Sequence, residues 1–580
     1  MRTDLITTSQ SAKMALSKSR KLLDITNKIL EKEDDEWIER LWKWADENSI
    51  SAKDIPRDKK KLLKLKELDL TFLYESLETI IIVIKCILNI RTLSTLKLTF
   101  QNTSDYEFKK ILKHIKESQN IEILELTFSN DDLDWVDINI SEDIIKFKNL
   151  KTLSMSCNLL SLSNKIVELA SLKHISLELC RFPSGVPLEI FNITTLEILC
   201  LTESELKVLP KDIQKLKNLK ELCLAATMLD EIPTEISSLS QLEYLNLSGN
   251  NIEVNKTLHK LKTLRNLKFL DIEEIKFQEF PYVLAEFKSL ENITIDSAFY
   301  SNIDDSLTIL SKLPKLTLLN LESLNLNYFP DKILYFENLQ QLKLRNNNIC
   351  SIPKEVSQLK KLKKIDISEN SFEHFPHEVC TLKDLKVLDI SGNTFTSISE
   401  KILQLHNLEA IELRGSYHIN LDQTLKILYK LPSLRRISLA FNKLQNLPFE
   451  LFKFSNLNEL ILQYNNLYYI SSDIYMLKSL TSLSLDCNNL VVLPNEIGNL
   501  FNLEILDLNN NKLKKLPTSI IKLCKLKKLN IFNNTELILT VEQKYWLKKL
   551  IKQGCNVSYD NNLFDKNIPV IDNDNDEIPF

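Results

Sequence analysis

Apolar residues recur along this chain in one figure, L-x-x-L-x-L-x-x-N-x-L, clearest at Leu242–Ile252, Leu339–Ile349, Leu457–Leu467, Leu480–Leu490 and Leu503–Leu513. Counting the first apolar residue of each copy, units begin at 65, 93, 121, 150, 172, 196, 219, 242, 267, 290, 316, 339, 362, 385, 408, 434, 457, 480, 503 and 526, twenty in all and most with the spacing that separates 219 from 242. Within a unit, the apolar positions 4 and 6 straddle one polar residue, the alternation of a strand with one buried face. The second half often reads as an apolar residue, proline and then apolar residues three apart, as in Leu209-Pro210-x-x-Ile213 and Ile352-Pro353-x-x-Val356. Proline presets the backbone for entry into a short helix or turn and needs no donor there. One such unit cannot bury its own apolar face, so neighbours must stack. The pattern predicts an α/β solenoid with a parallel concave sheet, short helices or turns on the convex side, and helical caps at both ends. At roughly 4.8 Å per strand, the sheet edge is on the order of 90 Å long.

Position 9 is asparagine at Asn158, Asn250, Asn347, Asn370, Asn393, Asn442, Asn465, Asn488, Asn511 and Asn534. An amide there offers two donors and an acceptor to the backbone where the strand turns away, so a ladder of amides is expected along one buried edge. Cys180, Ser204 and Thr227 take the slot elsewhere and weaken it locally. The whole pattern resembles the leucine-rich repeat family, specifically its intracellular Ras-group branch with LPxxI segments and a bacterial character, over about residues 65–537. The resemblance implies a curved horseshoe that binds another protein, with a role in intracellular signalling. The units at 65, 93, 121 and 150 depart from it: they are spaced more widely than the later ones and lack the proline. A longer amphipathic helix is expected from Asp105 to Ser118, and similar longer helices at Asn255, Asp304 and Asp422, where the units starting at 242, 290 and 408 are stretched by short inserts.

The repeats divide the chain into a helical N-terminal cap or extension (1–64), the repeats (65–537), a C-terminal cap helix and strand (538–559) and an acidic disordered tail (560–580). Leu22, Ile25 and Ile29 share one helical face, as do Trp37, Leu41 and Trp44. Thr540 reads as the N-cap of a helix carrying Trp546, Leu547, Leu550 and Ile551, and Gly554 as its stop. Between Lys512 and Lys552 stand eleven lysines and two glutamates, whereas from Asp560 onward there are six acidic residues and one lysine. A solvated basic face and an acidic tail is the plain account; a tail folded back over a basic docking surface is the alternative.

A net charge of −4 selects neither nucleic acid nor an anionic membrane. Ten cysteines without C-x-x-C pairs suit reduced thiols. The N-terminus has no apolar run, and the most apolar stretch, Ile80 to Ile90, contains Lys85 and falls short of the ~20 residues a membrane span needs. A cytoplasmic monomer is expected.

Strand positions 3, 5, 7 and 8 should face a partner. The first three units carry Thr71-Phe72, Thr99-Phe100 and Thr127-Phe128 there. From 267 to 412 the face turns acidic through Asp271, Glu273, Glu274, Asp296, Glu322, Asp366, Glu369, Asp389 and Glu412, interrupted by Lys343, Arg345 and Arg414. Arg436, Phe441, Tyr464 and Asp507 follow. Such a wall suits a protein with a basic or mixed patch, since Tyr and Arg are frequent hot-spot residues. The candidate partner-binding set is Asp271, Glu273, Glu274, Glu322, Arg345, Asp366, Asp389, Glu412, Arg436, Phe441 and Tyr464.

No catalytic constellation, phosphate-cradling glycine loop or cofactor site is evident, and six glycines form no G-x-G-x-x-G. His374-x-x-His377 with Cys380 has ligand-like content but falls on an ordinary proline-containing segment. Cys200 and Cys223 occupy position 5 of adjacent units. The expectation is a non-enzymatic scaffold without cofactor or metal; the alternative is an exported, host-directed effector that mimics host scaffolds.

Overall fold

The computed structural model describes residues 36–560 apart from 53, 74, 115–117, 131–135, 276–279 and 296–301. The face of Leu22, Ile25 and Ile29, Asp296, and the tail beyond Asp560 lie outside the described residues. The chain is an α/β solenoid of parallel strands, divided into two compact units, Met1–Phe277 and Gln278–Phe580.

In the first unit, each repeat contributes one strand to the main sheet, from Glu67–Phe72, Thr95–Gln101 and Ile123–Ser129 to Tyr244–Asn246 and Phe269–Ile272. Equal spacing puts equivalent leucines in register: Leu68 pairs with Leu96, Leu96 with Leu124, and Leu222 with Leu245. These side chains are buried, and each fully buried leucine contributes ~1.5–3 kcal/mol. The helix over 36–47 buries Ile38, Leu41, Trp44 and Ala45, and its Trp44 ring lies 5.7 Å from that of Phe72.

Phe72, Phe100 and Phe128, expected on the partner-facing side, are instead in the core. They form a column with ring centroids 5.6 and 5.2 Å apart, and Phe108 closes on its side. Here the strands run six or seven residues, so alternation carries position 8 inward with positions 4 and 6. From residue 172 onward the strands shorten to three or four residues, because position 8 turns left-handed. Leu179, Glu203, Ala226, Gly249 and Glu274 have φ between +51° and +63°. That one residue ends the strand, turns its own side chain outward and aims position 9 into the core.

Asn158 corrects the expected ladder for the same reason. Its strand keeps alternating, Cys157 takes the buried place, and the Asn158 amide donates to the Asp137 carboxylate at 3.0 Å. Asn158–Leu162 then pairs in parallel with Asp137–Ile140, a small second sheet.

The second unit has strand Asn292–Ile295 and a run of eleven parallel strands from Leu318–Asn320 to Asn556–Ser558. Five-residue 3-10 turns follow Pro330, Pro353, Pro376, Pro448, Pro494 and Pro517. The stretched repeats carry α-helices instead: Ile303–Leu310 and Leu421–Leu428 here, and Val254–Leu261 in the first unit, where Asp105–His114 is also helical. Asn302 and Asn420 cap the first two by accepting from the N–H three residues on.

The asparagine ladder is regular in this unit. Asn465 donates to Leu439 O and Leu462 O at 2.9 and 3.0 Å and accepts from the N–H of Asn442 and Leu444 at 2.9 and 3.0 Å. Asn370, Asn488 and Asn511 donate to carbonyls in the same way and accept from one N–H each, those of Ile349, Leu467 and Leu490. It breaks after the stretched repeat that starts at 408, where Ser416 fills the slot. Neither the Ser416 hydroxyl nor the Asn442 side-chain oxygen has a partner among the described residues.

Helix Val541–Lys552 begins with a reciprocal Thr540–Gln543 capping box and ends before Gly554 at φ +91°. The buried Gln543 amide also donates to Leu516 O and Pro517 O, and Trp546 Nε1 to Leu523 O. Asp560, read as the start of the tail, accepts from the N–H of Asn533 and Asn534 at 3.1 Å each.

Candidate partner-binding face

The outward strand positions and the left-handed position 8 bring the candidate residues to the sheet face opposite the leucine core, separately in each unit. In the first unit, Asp271 is half-buried and its carboxylate accepts from the Glu273 N–H at 3.1 Å. Burial pushes the Asp271 pKa up, and Glu274 beside it is exposed.

In the second unit the acidic residues are bonded more than they are open. Glu322 faces Lys343 at 3.7 Å, and Arg345 pairs with Glu369 at 2.8 Å across one repeat. Asp366 accepts from the Ser368 N–H and hydroxyl at 3.0 and 2.6 Å, and Asp389 from the Ser391 N–H at 3.0 Å. Arg436 bridges two repeats, to Glu412 at 2.5 Å and Glu459 at 3.0 Å. Burial raises the pKa of Asp389, with the Asp366 carboxylate adding to it; burial also raises that of Glu412, against the pull of Arg436. Asp389 and Glu412 are therefore desolvated carboxylates, and Glu322, Glu369 and Glu412 are paired with cations of neighbouring repeats.

The aromatic residues make the more exposed feature. Phe441 and Tyr464 stack with centroids 4.3 Å apart and planes 14° from parallel, and the Arg414 guanidinium lies 4.3 Å from the Phe441 ring centre. Lys443 Nζ sits 4.4 Å over Tyr417. Sequence reasoning placed Phe441 and Tyr464 on the face but missed Tyr417 and Lys443, which lie at position 10, beyond the strand.

Other candidate chemistry stays dispersed. Cys200 and Cys223 are register partners, and the Cys200 thiol lies 3.3 Å from the Glu178 carboxylate. His377 lies 3.5 Å from Glu378, and burial pushes the Cys380 thiol up to about 12. Among the described residues, no three or more His, Cys, Asp or Glu side chains are grouped to hold a metal ion, and no helix is long and apolar enough to cross a membrane.

A leucine-rich repeat region model matches residues 136–333 and 298–484, together more than half of the 580 residues, and a second leucine rich repeat model matches 478–535. A comparison with curated proteins finds no match. Among solved structures, a leucine-rich repeat protein of Leptospira interrogans is 24% identical, over 87% of this chain and 98% of that one, with a TM-score of 0.26. An internalin of Listeria monocytogenes is 16% identical, over 61% and 88%, with a TM-score of 0.36. The ectodomain of an Arabidopsis thaliana membrane receptor kinase is 18% identical, over 86% and 79%, with a TM-score of 0.32.

Proposed function

This chain belongs to the leucine-rich repeat family, and from that premise we propose that it is a non-enzymatic scaffold holding a protein partner against the concave face of its sheet. The observation that carries the reading is the solvent-facing Arg414–Phe441–Tyr464 stack, set on in-register strands of the second unit. A rigid aromatic pair with a guanidinium laid on it offers large contact area at small entropic cost, the property of interface hot spots. The half-buried carboxylates beside it, already bonded to backbone and arginine, shape the floor rather than attract cations from afar. The helix over 36–47 and helix Val541–Lys552 serve as end caps in this reading, since open solenoid ends expose apolar edges. A signalling role rests on the likeness of the LPxxI segments alone.

The test is affinity capture from native lysate with the full chain and with a triple variant, Arg345→Ala, Phe441→Ala and Tyr464→Ala. These three side chains are at least partly exposed, so the variant should keep its circular dichroism spectrum. A partner captured by wild type and lost by the folded variant is the expected result. Equal capture by both would move the binding site off this face.

A further inference from the structure

We propose that a notch over Gly392 and Gly415 in the second unit receives the carboxylate of an acidic side chain from a partner's peptide segment, gripped by Arg414 with Lys443 beside it. This deepens the protein-binding reading above and rests on it.

The notch exists because two successive repeats place glycine at position 8. The left-handed backbone there does not demand glycine: Ser323, Asn346, Glu369, Phe441, Tyr464 and Cys487 hold the same position with φ between +52° and +60°. Packing does not demand it at Gly415 either, where an added Cβ would meet nothing within 4 Å. At Gly392 it would press on Glu369 Cγ at 3.1 Å. The two missing side chains leave a cavity of about 350 Å³ whose walls include Glu369, Arg414, Tyr417, His418 and Phe441.

Charge pairing decides what enters. Glu369 is already neutralised by Arg345, and Glu412 by Arg436. Arg414 and Lys443 have no carboxylate within ion-pair distance among the described residues; each is held only against a ring, Phe441 and Tyr417 respectively. A guanidinium that spends no N–H on an ion pair can offer its fork to a carboxylate in two parallel hydrogen bonds. The ring contact also fixes the side chain before binding, which lowers the ordering cost. A singly charged carboxylate suits the site better than a doubly charged phosphoryl group. Glu412 stands two residues from Arg414 with Asp389 as its register partner, and burial already disfavours further negative charge on both.

The experiment is an array of immobilised twelve-residue peptides, in many backgrounds, each made with a central Glu, Gln, Lys or phosphoserine and probed with the labelled full chain. Wild type should retain Glu peptides roughly tenfold better than their Gln twins, the discrimination expected of one charge-assisted bidentate contact. Arg414→Gln should erase that difference, Gly415→Phe should block binding by filling the notch, and Lys354→Gln, at an exposed lysine outside the candidate face, should leave the difference in place. Melting curves check that each variant is folded. The proposal is overturned if no peptide binds wild type, if Gln and Glu bind equally, if discrimination survives Arg414→Gln, or if phosphoserine exceeds Glu. Should Arg414→Gln leave unchanged the partner captured in the lysate assay, the notch assignment fails while the protein-binding reading stands. If the lysate assay also captures nothing, both fail.

Discussion

Removing one rung of the asparagine ladder tests the physical account of the stack. In Asn465→Ala, the N–H groups of Asn442 and Leu444 lose the one acceptor they have among the described residues, and Leu439 O loses its amide donor. Leu462 O keeps the Asn488 amide at 2.9 Å. Two orphaned N–H groups, one buried and one half-buried, at ~1–3 kcal/mol each put the cost at about 4 kcal/mol. Two comparisons grade the effect. Asn442 has an idle side-chain oxygen and donates only to Leu413 O and Ala440 O, so Asn442→Ala should cost less. Asn158 lies off the ladder, and Asn158→Ala should change stability by under ~0.5 kcal/mol. Urea midpoints give the order, and native-state hydrogen exchange gives the location. The amides of Asn442 and Leu444 should lose roughly a thousandfold of protection in Asn465→Ala. A cost below about 1 kcal/mol, or exchange that speeds up uniformly along the chain, would refute the argument. Either result would mean that water or a shifted backbone replaces the amide.

Stacking was legible in the sequence because it depends only on spacing: leucines that recur at one fixed interval must meet in register if neighbouring repeats have equal length. The faces of the strands were legible only in part. Phe128 and Phe441 both occupy position 8, yet Phe128 is fully buried and Phe441 lies part-exposed at the edge. The difference is the left-handed turn at Phe441, φ +56°, which no single residue type announces, since Leu179, Glu203, Ser323 and Cys487 take it equally well. Repeat length accounts for it only in part: the longest repeats, at 65, 93 and 121, let the strand run on, whereas the stretched repeats at 242 and 408 still turn at Gly249 and Gly415. Asn158 was misplaced because Cys157 before it, at position 8, does not take the left-handed turn, although that repeat is short. The charges on the face were readable as a list, but not their pairing. Arg345 reaches Glu369 and Arg436 reaches Glu412, each in a neighbouring repeat, so part of the wall that looked acidic along the chain is paired with its own arginines in three dimensions. What stays open, Arg414 and Lys443, is of opposite sign.

Three further outcomes can be checked on the same protein. Phe100→Ala should cost ~3–5 kcal/mol, because it empties the centre of a buried aromatic column, and a thermal melt would show it. Phe441→Ala, at the part-exposed edge, should cost under ~1.5 kcal/mol by the same melt while weakening partner capture. Asp389→Asn tests whether the wall is as desolvated as the geometry indicates. Burial and the Asp366 carboxylate hold the Asp389 pKa above its ordinary value, so the folded protein keeps that proton more tightly than the unfolded chain. The resulting stability is fully present below the unfolded pKa of ~3.9 and is lost as pH rises through the folded one. At pH 7, wild type therefore carries a strained carboxylate that asparagine removes while keeping an oxygen for the Ser391 N–H. The variant should have the higher urea midpoint at pH 7, and its advantage should shrink as pH falls toward 4. An advantage that does not change with pH, or a variant weaker than wild type at pH 7, would show that Asp389 is solvated and that the face is an open acidic field after all.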